Sequence, residues 1–540
     1  MARSSSAPIS RRDFLRFAGG GATALTASQL WAAPEPPIAQ RPVSLARVEV
    51  LLNEPIGTIN PNVHGHFIEH LGGVIYDGVW VGQKSKVANI GGIRRALVEH
   101  LQRIGPPVVR WPGGCFADRY HWRDGIGPIK KRPRRYGRWS DVTESNLFGT
   151  HEFVRFCRLV KTEPYIAANV GTGTPEEFQQ WVEYCNAPAD STSLAAERAA
   201  NGDRDPFGVR FWGVGNESWG CGGNFAPEVY CDQYCQFSTW LPGYKVSLFL
   251  IASGPNGNDL NWTQRFFERY MSARRGRAPI HGWSPHYYCG TTGHALQYGA
   301  DGWYEMLRKG NFMETLVREQ WDALTTFDPK HAIKLCVDEW GCWHPKGTEI
   351  NKDHQFEQMI TLREAMVAAL TLDTFHRHAE KVVMSNVAQM INCLHSLFLA
   401  DGDKFVATPN FHVYDMYQPH KGGEAIRLNV EAPSIRYKFK DKDEEIFRIA
   451  GSASVREKTL TLTIVHTHVD EPFEAEISLR GGSVREARQT VLTHSDIRAH
   501  NTFENPKEVV PQSAPLDLSG NRLRVTFAPR SVTRLDLSLG

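Results

Sequence analysis

Short apolar runs alternate with amphipathic segments along the chain up to about residue 400. Eight of these runs are rich in β-forming residues and have the length of buried strands. They span residues 63–72, 108–114, 164–171, 209–217, 248–256, 281–288, 333–341 and 382–392. Between them, segments such as 92–104, 152–160 and 177–185 repeat apolar residues at the i, i+3 and i+4 spacing of a helix. Eight strands alternating with helices predict an α/β fold, a (β/α)8 TIM barrel.

Beyond about residue 400 the pattern changes to alternation of single apolar and polar residues. Residues 458–469 and 522–539 alternate in this way, and turns containing glycine separate such segments. This alternation predicts an additional all-β antiparallel sandwich domain. Residues 47–55 have the same character, so we expect them to pair into the sandwich although they precede the barrel. The predicted domains are a barrel over 58–398 and a sandwich over 34–57 plus 399–540.

The N-terminal residues have the pattern of a targeting segment. A twin arginine in SRRDFLR (10–16) precedes the weakly hydrophobic run FAGGGATALTASQLWAA (17–33). This combination is typical of a twin-arginine export signal, and a basic disordered tail is the alternative. We therefore predict a signal peptide at 1–33 and an exported protein, periplasmic or secreted. No later apolar run reaches the length of a membrane span, so we expect no membrane association of the mature form.

The charge balance limits the possible partners. The 540 residues include 61 Lys and Arg against 59 Asp and Glu, a net charge of +2. A protein that binds nucleic acid through its phosphates has a dominant positive charge, so we expect no nucleic-acid partner. The basic run at 130–135 is then best interpreted as a solvated loop or a subunit contact.

The ten cysteines lie between residues 115 and 393 and show no pairs at zinc-finger spacing. A core of this size does not need disulfides, so we expect mostly reduced, buried cysteines. We predict no metal site and no cofactor.

Two carboxylates stand at the ends of predicted barrel strands. Asn216-Glu217 ends the fourth strand, and Asp338-Glu339 ends the seventh. In TIM barrels the chemistry occurs at the carboxyl ends of the strands, and strands four and seven face each other across the barrel mouth. Glu217 and Glu339 can therefore face one substrate, as the two carboxylates of a glycoside hydrolase do. Asn216 is placed to bind a neighbouring sugar hydroxyl.

Seven motifs, in this order, resemble glycoside hydrolase family 51. They are GHFIEHLGGVIYDGVW (65–80), RWPGGCFADRYHWRDGIGP (110–128), NVGTGTPEEF (169–178), WGVGNESWGCGG (212–223), SPHYY (284–288), VDEW (337–340) and NVAQMIN (386–392). Members of this family are retaining α-L-arabinofuranosidases of clan A, with a TIM barrel and a jelly-roll sandwich. The resemblance runs from about residue 45 to the C-terminus. It implies that Glu217 is the general acid/base and Glu339 the nucleophile. It also implies a sugar pocket formed by Glu69, Asn216, His286, Tyr288 and Gln389.

One position departs from the pattern of the family. Many members have Asn after the Gly-Gly of the second-strand motif, where this chain has Cys115. A thiol is a weak hydrogen-bonding group, so we expect Cys115 either to pack in the pocket wall or to alter recognition of the furanose.

The resemblance implies an exo-acting retaining α-L-arabinofuranosidase. Its substrates would be terminal non-reducing α-L-arabinofuranosyl residues of hemicellulose oligosaccharides or polysaccharides, derived from arabinoxylan or arabinan. Members of the family commonly assemble as hexamers or other oligomers, so we also expect a homo-oligomer.

Three alternatives remain open from the residues themselves. The first is another clan A glycosidase, an endoglucanase or a β-xylosidase, which a panel of aryl glycosides would identify. The second is a metal-dependent amidohydrolase, suggested by His64-x-His66 on the first strand and testable with a chelator. The third is a non-catalytic sugar-binding protein, which would bind oligosaccharide without turnover.

Overall fold

Eight parallel strands close into a barrel in the order in which they occur in the chain. The computed structural model of the chain describes residues 45–137, 142–272, 278–290 and 293–540. The barrel strands are Gly65–Phe67, Val108–Trp111, Glu163–Ala168, Phe211–Val214, Phe249–Asn256, Gly282–Cys289, Lys334–Cys342 and Val382–Val387. Each lies within or overlaps one of the eight predicted runs, which confirms the predicted barrel. The predicted signal at 1–33 lies outside the described residues.

Helices that pack on the outside of the barrel connect its strands, and local signals mark their ends. Thr174 caps Pro175–Asn186 by accepting a hydrogen bond from the backbone N–H of Glu177. Gly105 ends Arg95–Ile104 in the left-handed conformation that glycine adopts without strain. The helices are Arg95–Ile104, Thr150–Val160, Pro175–Asn186, Ser193–Ala200, Pro227–Ser238, Leu260–Met271, Ala300–Thr325, Leu362–Arg377 and Pro409–Tyr417. Within the described ranges, no helix combines the length and the apolar character needed to cross a bilayer.

The all-β region is built on a nine-stranded sheet. Its strands alternate buried and more exposed side chains; in Phe473–Arg480, for example, Phe473, Ala475, Ile477 and Leu479 are buried. Buried side chains from strands far apart in the sheet order share one core, so the sheet is folded over on itself. The strands are Ala46–Thr58, Glu424–Glu431, Ile449–Arg456, Thr459–His466, Phe473–Arg480, Val484–Leu492, Gln512–Leu516, Arg522–Phe527 and Ser531–Leu539. Smaller two-stranded sheets pair Asn89–Ile90 with Ile93–Arg94, Arg135–Tyr136 with Thr143–Glu144, Phe398–Asp401 with Lys404–Ala407 and Ser434–Phe439 with Lys442–Phe447.

The strand that precedes the barrel lies in the interior of this C-terminal sheet. Ala46–Thr58 pairs antiparallel with Glu424–Glu431 on one side and parallel with Phe473–Arg480 on the other. Its Val48 and Val50 are fully buried in the core of the sheet. Segments that precede and follow the barrel therefore pair in the same all-β region. The domain bounds given above stay a prediction.

Four buried histidines form a cluster at the amino-terminal end of the barrel. This basal histidine cluster consists of His64, His66, His376 and His420, all fully buried. The Nε2 atoms of His64 and His376 lie 3.1 Å apart, and the ring of His66 packs 4.8 Å from that of Tyr414. His64 and His66 therefore lie at the opposite end of the barrel from Glu217 and Glu339. This placement does not support the amidohydrolase alternative, which requires the histidine pair in the active site.

The basic run at 130–135 is only partly solvated. Arg132 is buried and donates two hydrogen bonds to Glu152, at 2.9 and 3.1 Å. Arg135 lies on the surface and pairs with Asp124. The interpretation as a solvated loop is thus wrong for Arg132, whose guanidinium neutralises a buried carboxylate at the start of helix Thr150–Val160.

Candidate active site

The two predicted carboxylates meet at the carboxyl ends of the barrel strands. Glu217 lies just after the fourth strand, and Glu339 lies within the seventh. One carboxylate oxygen of Glu217, one of Glu339 and one ring nitrogen of His286 all lie within 4.8 Å of one another. Glu217 has a φ of 38°, a left-handed backbone conformation that is uncommon outside glycine and that recurs at functional sites.

The surroundings of Glu217 favour its protonated form. Burial raises the pKa of Glu217 above its ordinary value, the negative charge of Glu339 raises it further, and a hydrogen bond with His286 opposes both effects. His286 Nδ1 lies 3.2 Å from Oε1 of Glu217. A carboxyl group in this environment holds its proton more tightly than an exposed one and releases it more readily when the nearby negative charge is removed.

Two hydrogen-bond donors hold the carboxylate of Glu339 in place. Arg110 donates a hydrogen bond of 2.8 Å to Oε2, and the Tyr288 hydroxyl donates one of 2.7 Å to Oε1. The backbone also approaches closely, because a Cβ atom at Gly114 would lie 2.9 Å from Oε2. A side chain at Gly114 would therefore require the Glu339 carboxylate to shift.

Arg110 and Asp338 form the charged floor of the site. Arg110 is fully buried, lies 3.6 Å from the Asp338 carboxylate and donates a hydrogen bond to Asn216 Oδ1. Asp338 also accepts hydrogen bonds from the hydroxyls of Ser284 and Tyr165. Burial alone would raise the pKa of Asp338, but Arg110 and His286 hold it well below its usual range. Asp338 is therefore ionised beside Glu217 and Glu339.

His286 connects this floor to the reacting groups. Its Nε2 lies 2.9 Å from Asp338 Oδ1, and its Nδ1 lies 3.2 Å from Glu217 and 3.5 Å from Glu339. Burial would lower the pKa of His286, but the charge of Glu339 and the bonds to Asp338 and Glu217 raise it to about 10. His286 is thus an imidazolium whose two N–H groups both point at carboxylates.

Glu69 and Gln389 form a reciprocal pair beside Glu339. Gln389 accepts a hydrogen bond from the backbone N–H of Glu69 at 2.9 Å and donates its own N–H to the Glu69 carboxylate at 3.1 Å. The other carboxylate oxygen of Glu69 accepts a hydrogen bond from the backbone N–H of Phe116. Burial and the charge of Glu339 raise the pKa of Glu69 to about 7.

Cys115 is not a free thiol. It forms a disulfide with Cys221, with a Cα–Cα distance of 5.5 Å. The eight other cysteines of the described residues are free, in agreement with the expectation of mostly reduced cysteines, and this pair is the exception. The two partners are 106 residues apart, and only the convergence of the second and fourth βα loops at the barrel mouth brings them together. The sulfur atoms of Cys221 and Cys115 lie 3.4 and 3.8 Å from Glu217 Oε2.

The structure thus brings together all of the residues predicted for the site, Glu69, Cys115, Asn216, Glu217, His286, Tyr288, Glu339 and Gln389. It adds Arg110, Asp338 and Cys221, to which the sequence reasoning assigned no role. An arginine inside a buried strand was the available signal for Arg110, since such a residue requires a buried partner. The arrangement places two carboxyl groups, of which Glu217 has a raised pKa, side by side in a pocket lined with hydrogen-bonding groups.

Two family models match the chain. One is described as "Alpha-L-arabinofuranosidase 1 domain" and matches residues 100–278, and the other as "Alpha-L-arabinofuranosidase C-terminal domain" and matches residues 338–531.

Full-length relatives agree with these models. The chain is 35% identical to the "Intracellular exo-alpha-L-arabinofuranosidase" of Bacteroides ovatus, over 89% of this chain and 93% of the relative. It is 29% identical to the "Intracellular exo-alpha-(1->5)-L-arabinofuranosidase 1" of Bacillus subtilis, over 90% of this chain and 97% of the relative. These names show that the predicted periplasmic or secreted location is wrong, because relatives that match nearly end to end are intracellular enzymes.

Solved structures share the whole fold. The arabinofuranosidase from Xanthomonas axonopodis pv. citri, assigned to glycoside hydrolase family 51, superposes with a TM-score of 0.86 at 35% identity, covering 91% of this chain and 100% of that one. The α-L-arabinofuranosidase from Thermotoga maritima, solved with arabinose, superposes with a TM-score of 0.81 at 27% identity, covering 92% of this chain and 100% of that one.

Proposed function

Because the chain belongs to glycoside hydrolase family 51 and is an α-L-arabinofuranosidase, we propose that it acts by a retaining double displacement. We also propose that it removes terminal non-reducing arabinofuranosyl residues from oligosaccharides of arabinoxylan or arabinan. The names of the Bacteroides and Bacillus relatives support exo-action and an intracellular location.

One observation carries the proposed mechanism. Carboxylate oxygens of Glu217 and Glu339 approach within 4.8 Å, and both lie beside the same ring nitrogen of His286, at 3.2 and 3.5 Å, so the two groups adjoin with a shared contact between them. Retaining glycosidases place the two groups roughly 5–5.5 Å apart, whereas inverting enzymes need roughly 6.5–9.5 Å to leave room for a water molecule. The short separation therefore favours direct attack by one carboxylate over attack by water.

In the first step, Glu339 attacks the anomeric carbon and Glu217 protonates the departing glycosidic oxygen. Arg110 and Tyr288 orient the attacking carboxylate through their hydrogen bonds to its two oxygens. Burial and the charge of Glu339 both raise the pKa of Glu217, so this group keeps its proton until it protonates the leaving oxygen. The leaving group departs neutral, and the sugar stays attached to Glu339 as an ester.

In the second step, Glu217 takes a proton from water, which attacks the anomeric carbon and releases Glu339. Formation of the ester removes the negative charge that held the proton on Glu217, so its pKa falls when a base is needed. His286, which donates toward Glu217, stabilises the carboxylate form at this stage. Release of the sugar restores both groups to their starting states.

The remaining pocket residues are proposed to bind the furanose. Glu69, Asn216 and Gln389 carry acceptor and donor groups beside Glu339, and a hydroxylated ring can hydrogen-bond with all three. We further propose a homo-oligomer, a hexamer by the habit of the family, which analytical ultracentrifugation of the purified protein tests.

The test of the nucleophile is hydrolysis of an aryl α-L-arabinofuranoside. Glu339→Ala is expected to lower turnover by roughly 10⁴-fold or more. Added azide should restore turnover and yield a glycosyl azide of inverted configuration, because azide enters the space left by the carboxylate. Near wild-type activity of Glu339→Ala would show that the nucleophile is a different group.

The test of the acid/base uses substrates with different leaving groups. Glu217→Ala should cleave an aryl glycoside with a good leaving group far better than one with a poor leaving group, since only the poor one needs a proton. Equal losses on both substrates would rule out the acid role. A panel of aryl arabinofuranosides, xylosides and glucosides, run on the wild type, distinguishes the proposed activity from the β-xylosidase and endoglucanase alternatives.

A further inference from the structure

Two sulfur atoms lie beside Glu217, and no step of the proposed mechanism uses them. The Cys115–Cys221 disulfide connects the loop after the second strand to the loop after the fourth. Its sulfur atoms lie 3.8 and 3.4 Å from the same carboxylate oxygen of Glu217. A sulfur pair in contact with the acid/base gives this part of the site a chemistry of its own.

The distances from the two sulfur atoms to the Glu217 oxygen are those between ligands of one metal ion, and reduction of the disulfide lets the sulfur atoms themselves separate. Zinc binds thiolate sulfur at about 2.3 Å and carboxylate oxygen at about 2.0 Å, so two such ligands of a tetrahedral ion lie about 3.5 Å apart. The observed sulfur–oxygen distances of 3.4 and 3.8 Å agree with that value. Two cysteines and one carboxylate are also a ligand set that prefers a thiophilic cation over magnesium or calcium.

Only the sulfur–sulfur bond keeps these atoms from binding an ion. A dithiol reductant breaks that bond: each sulfur gains an electron and a proton, and the reductant is oxidised to its own disulfide. Cys115 and Cys221 are then two thiols, which lose their protons when a metal ion binds. In the intracellular location proposed above, the environment keeps cysteines reduced, so this form would be the prevailing one.

We propose that reduced Cys115 and Cys221, together with Glu217, form a binding site for a thiophilic divalent cation such as Zn²⁺, and that the bound cation stops hydrolysis. The ion engages the carboxylate that must donate and accept the proton. The disulfide form has no such site, and its activity is insensitive to the ion. The inhibitory part rests on the proposed role of Glu217, whereas the binding part does not.

A second group of possible ligands, Glu217, His286 and Glu339, is a poorer site for a cation. One possible ligand atom from each of these three residues lies within 4.8 Å of the other two. However, both ring nitrogens of His286 are engaged with carboxylates, Nδ1 with Glu217 and Nε2 with Asp338, so neither is directed at a cation. The guanidinium of Arg110 on Glu339 adds a second positive charge. The sulfur side of Glu217 is therefore the side that a cation selects.

The test compares the full-length protein in its oxidised and dithiol-reduced forms, with cobalt as a spectroscopic probe and zinc as the inhibitor. Reduced wild type should bind roughly one Co²⁺ per chain with a thiolate-to-cobalt absorption band, and the oxidised protein should show no such band. Zinc should inhibit hydrolysis of an aryl arabinofuranoside only in the reduced form, and a chelator should restore the activity.

Variants identify the ligands. Cys221→Ser should weaken cobalt affinity at least roughly tenfold and abolish the redox dependence of zinc inhibition. Cys235→Ser is the matched control, because Cys235 is partly exposed on helix Pro227–Ser238 and forms no part of the site. Cys115→Ser serves as a second ligand variant, and the thermal unfolding of each variant shows that it is folded.

Two results would overturn the proposal. Equal cobalt binding by the oxidised and reduced forms, or by Cys221→Ser and wild type, would place the ion elsewhere. Binding by the reduced form without any loss of activity would show that the ion does not engage the acid/base. Failure of the proposed function would give a different result. The metal-free oxidised protein would not hydrolyse the arabinofuranoside, while the reduced protein would still show the cobalt band.

Discussion

Buried histidines lie at both ends of the barrel, and burial has opposite outcomes for them. In the basal histidine cluster, burial lowers the pKa of His66 and of His420 to about 3, so these rings are neutral. In the active site, His286 is equally buried, yet carboxylates on both sides raise its pKa to about 10. Loss of hydration disfavours the charged ring in both places, and only direct contact with carboxylates reverses the outcome. The charge of a buried histidine is therefore decided by the groups that touch its nitrogens.

This difference predicts how each end responds to substitution. The catalytic end holds opposite charges in contact, so removal of one leaves another buried without a partner. The basal end holds neutral rings, and removal of one mainly changes packing. Four experiments test the contrast.

The largest effect is expected from removing the buried guanidinium group of the active site. Arg110→Met leaves the carboxylates of Asp338 and Glu339 buried without their guanidinium partner. We expect the free energy of unfolding to fall by about 3–5 kcal/mol and kcat/KM to fall roughly 10²–10³-fold, measured by urea denaturation and hydrolysis of an aryl arabinofuranoside. Arg132→Met is the matched control, because it removes a buried arginine from Glu152, away from the site. Equal losses of kcat/KM in the two folded variants would contradict the assignment.

The next largest effect is expected from removing the active-site imidazolium. His286→Gln takes away the positive charge that lowers the pKa of Glu217, so Glu217 should remain protonated to higher pH. The basic limb of the pH profile of kcat/KM should move upward, and its maximum should fall roughly 10²-fold. His354→Gln is the control, since His354 also has a pKa raised to about 9 but is paired with Asp77 and Glu357. A basic limb that stays in place in His286→Gln would disprove the link to Glu217.

The basal cluster should make the protein less stable in mild acid. Below pH 6.5 the unfolded chain protonates these histidines while the folded chain does not, down to about pH 3 for His66. Each such group lowers the free energy of unfolding by up to about 1.4 kcal/mol per pH unit over that range. His66→Phe should therefore show a shallower loss of stability than wild type between pH 6.5 and 5, by urea denaturation.

Two groups act in the opposite direction in this pH range. Glu69 and Asp373 have pKa values raised to about 7 and about 6, so they bind protons more readily when folded and add stability as the pH falls. They are present in both proteins, and the difference between variant and wild type isolates His66. His286, whose pKa is raised to about 10, has the same sign as Glu69 and Asp373: its contribution to stability is present in acid and is lost as the pH rises through about 10. Identical slopes for His66→Phe and wild type would mean that His66 is not neutral in the folded state.

The smallest effect is expected from single hydroxyl groups. Tyr165 donates its hydroxyl to Asp338, so Tyr165→Phe should cost about 1 kcal/mol of stability and less than roughly tenfold in kcat/KM. In the basal cluster, the Tyr414 hydroxyl has no hydrogen-bond partner within the described residues, and Tyr414→Phe should leave the stability unchanged. A larger loss of stability in Tyr414→Phe than in Tyr165→Phe would contradict the proposed difference between the two ends of the barrel.

The sequence was informative where a local pattern determines the structure. Each barrel strand is a short apolar run, and its end marks the barrel mouth, so Glu217 and Glu339 could be placed before any coordinates. Arg110 was not assigned a role because the pattern of a four-residue buried strand does not show which side of the barrel wall its side chain faces. His64 and His66 suggested a metal pair for the same reason, and their partner His376 comes from a helix far along the chain.

The disulfide and the protonation states of the site could not be predicted from the sequence. Ten cysteines allow many pairings, and only the closed barrel brings Cys115 to Cys221. The protonation of His286 depends on the two carboxylates that meet it from different strands. Such properties arise from contacts between distant segments, which no local pattern encodes.

The position of strand Ala46–Thr58 has a consequence for the growing chain on the ribosome. Both of its sheet partners, Glu424–Glu431 and Phe473–Arg480, are synthesised near the end of the chain. At roughly 5–20 residues per second, the strand emerges on the order of 20 s or more before either partner exists. During that interval its valines have no sheet to join, and its unpaired edges are open to other chains or to chaperones. The sheet around this strand can therefore be completed only after residue 480 has been synthesised, even if the barrel has folded earlier.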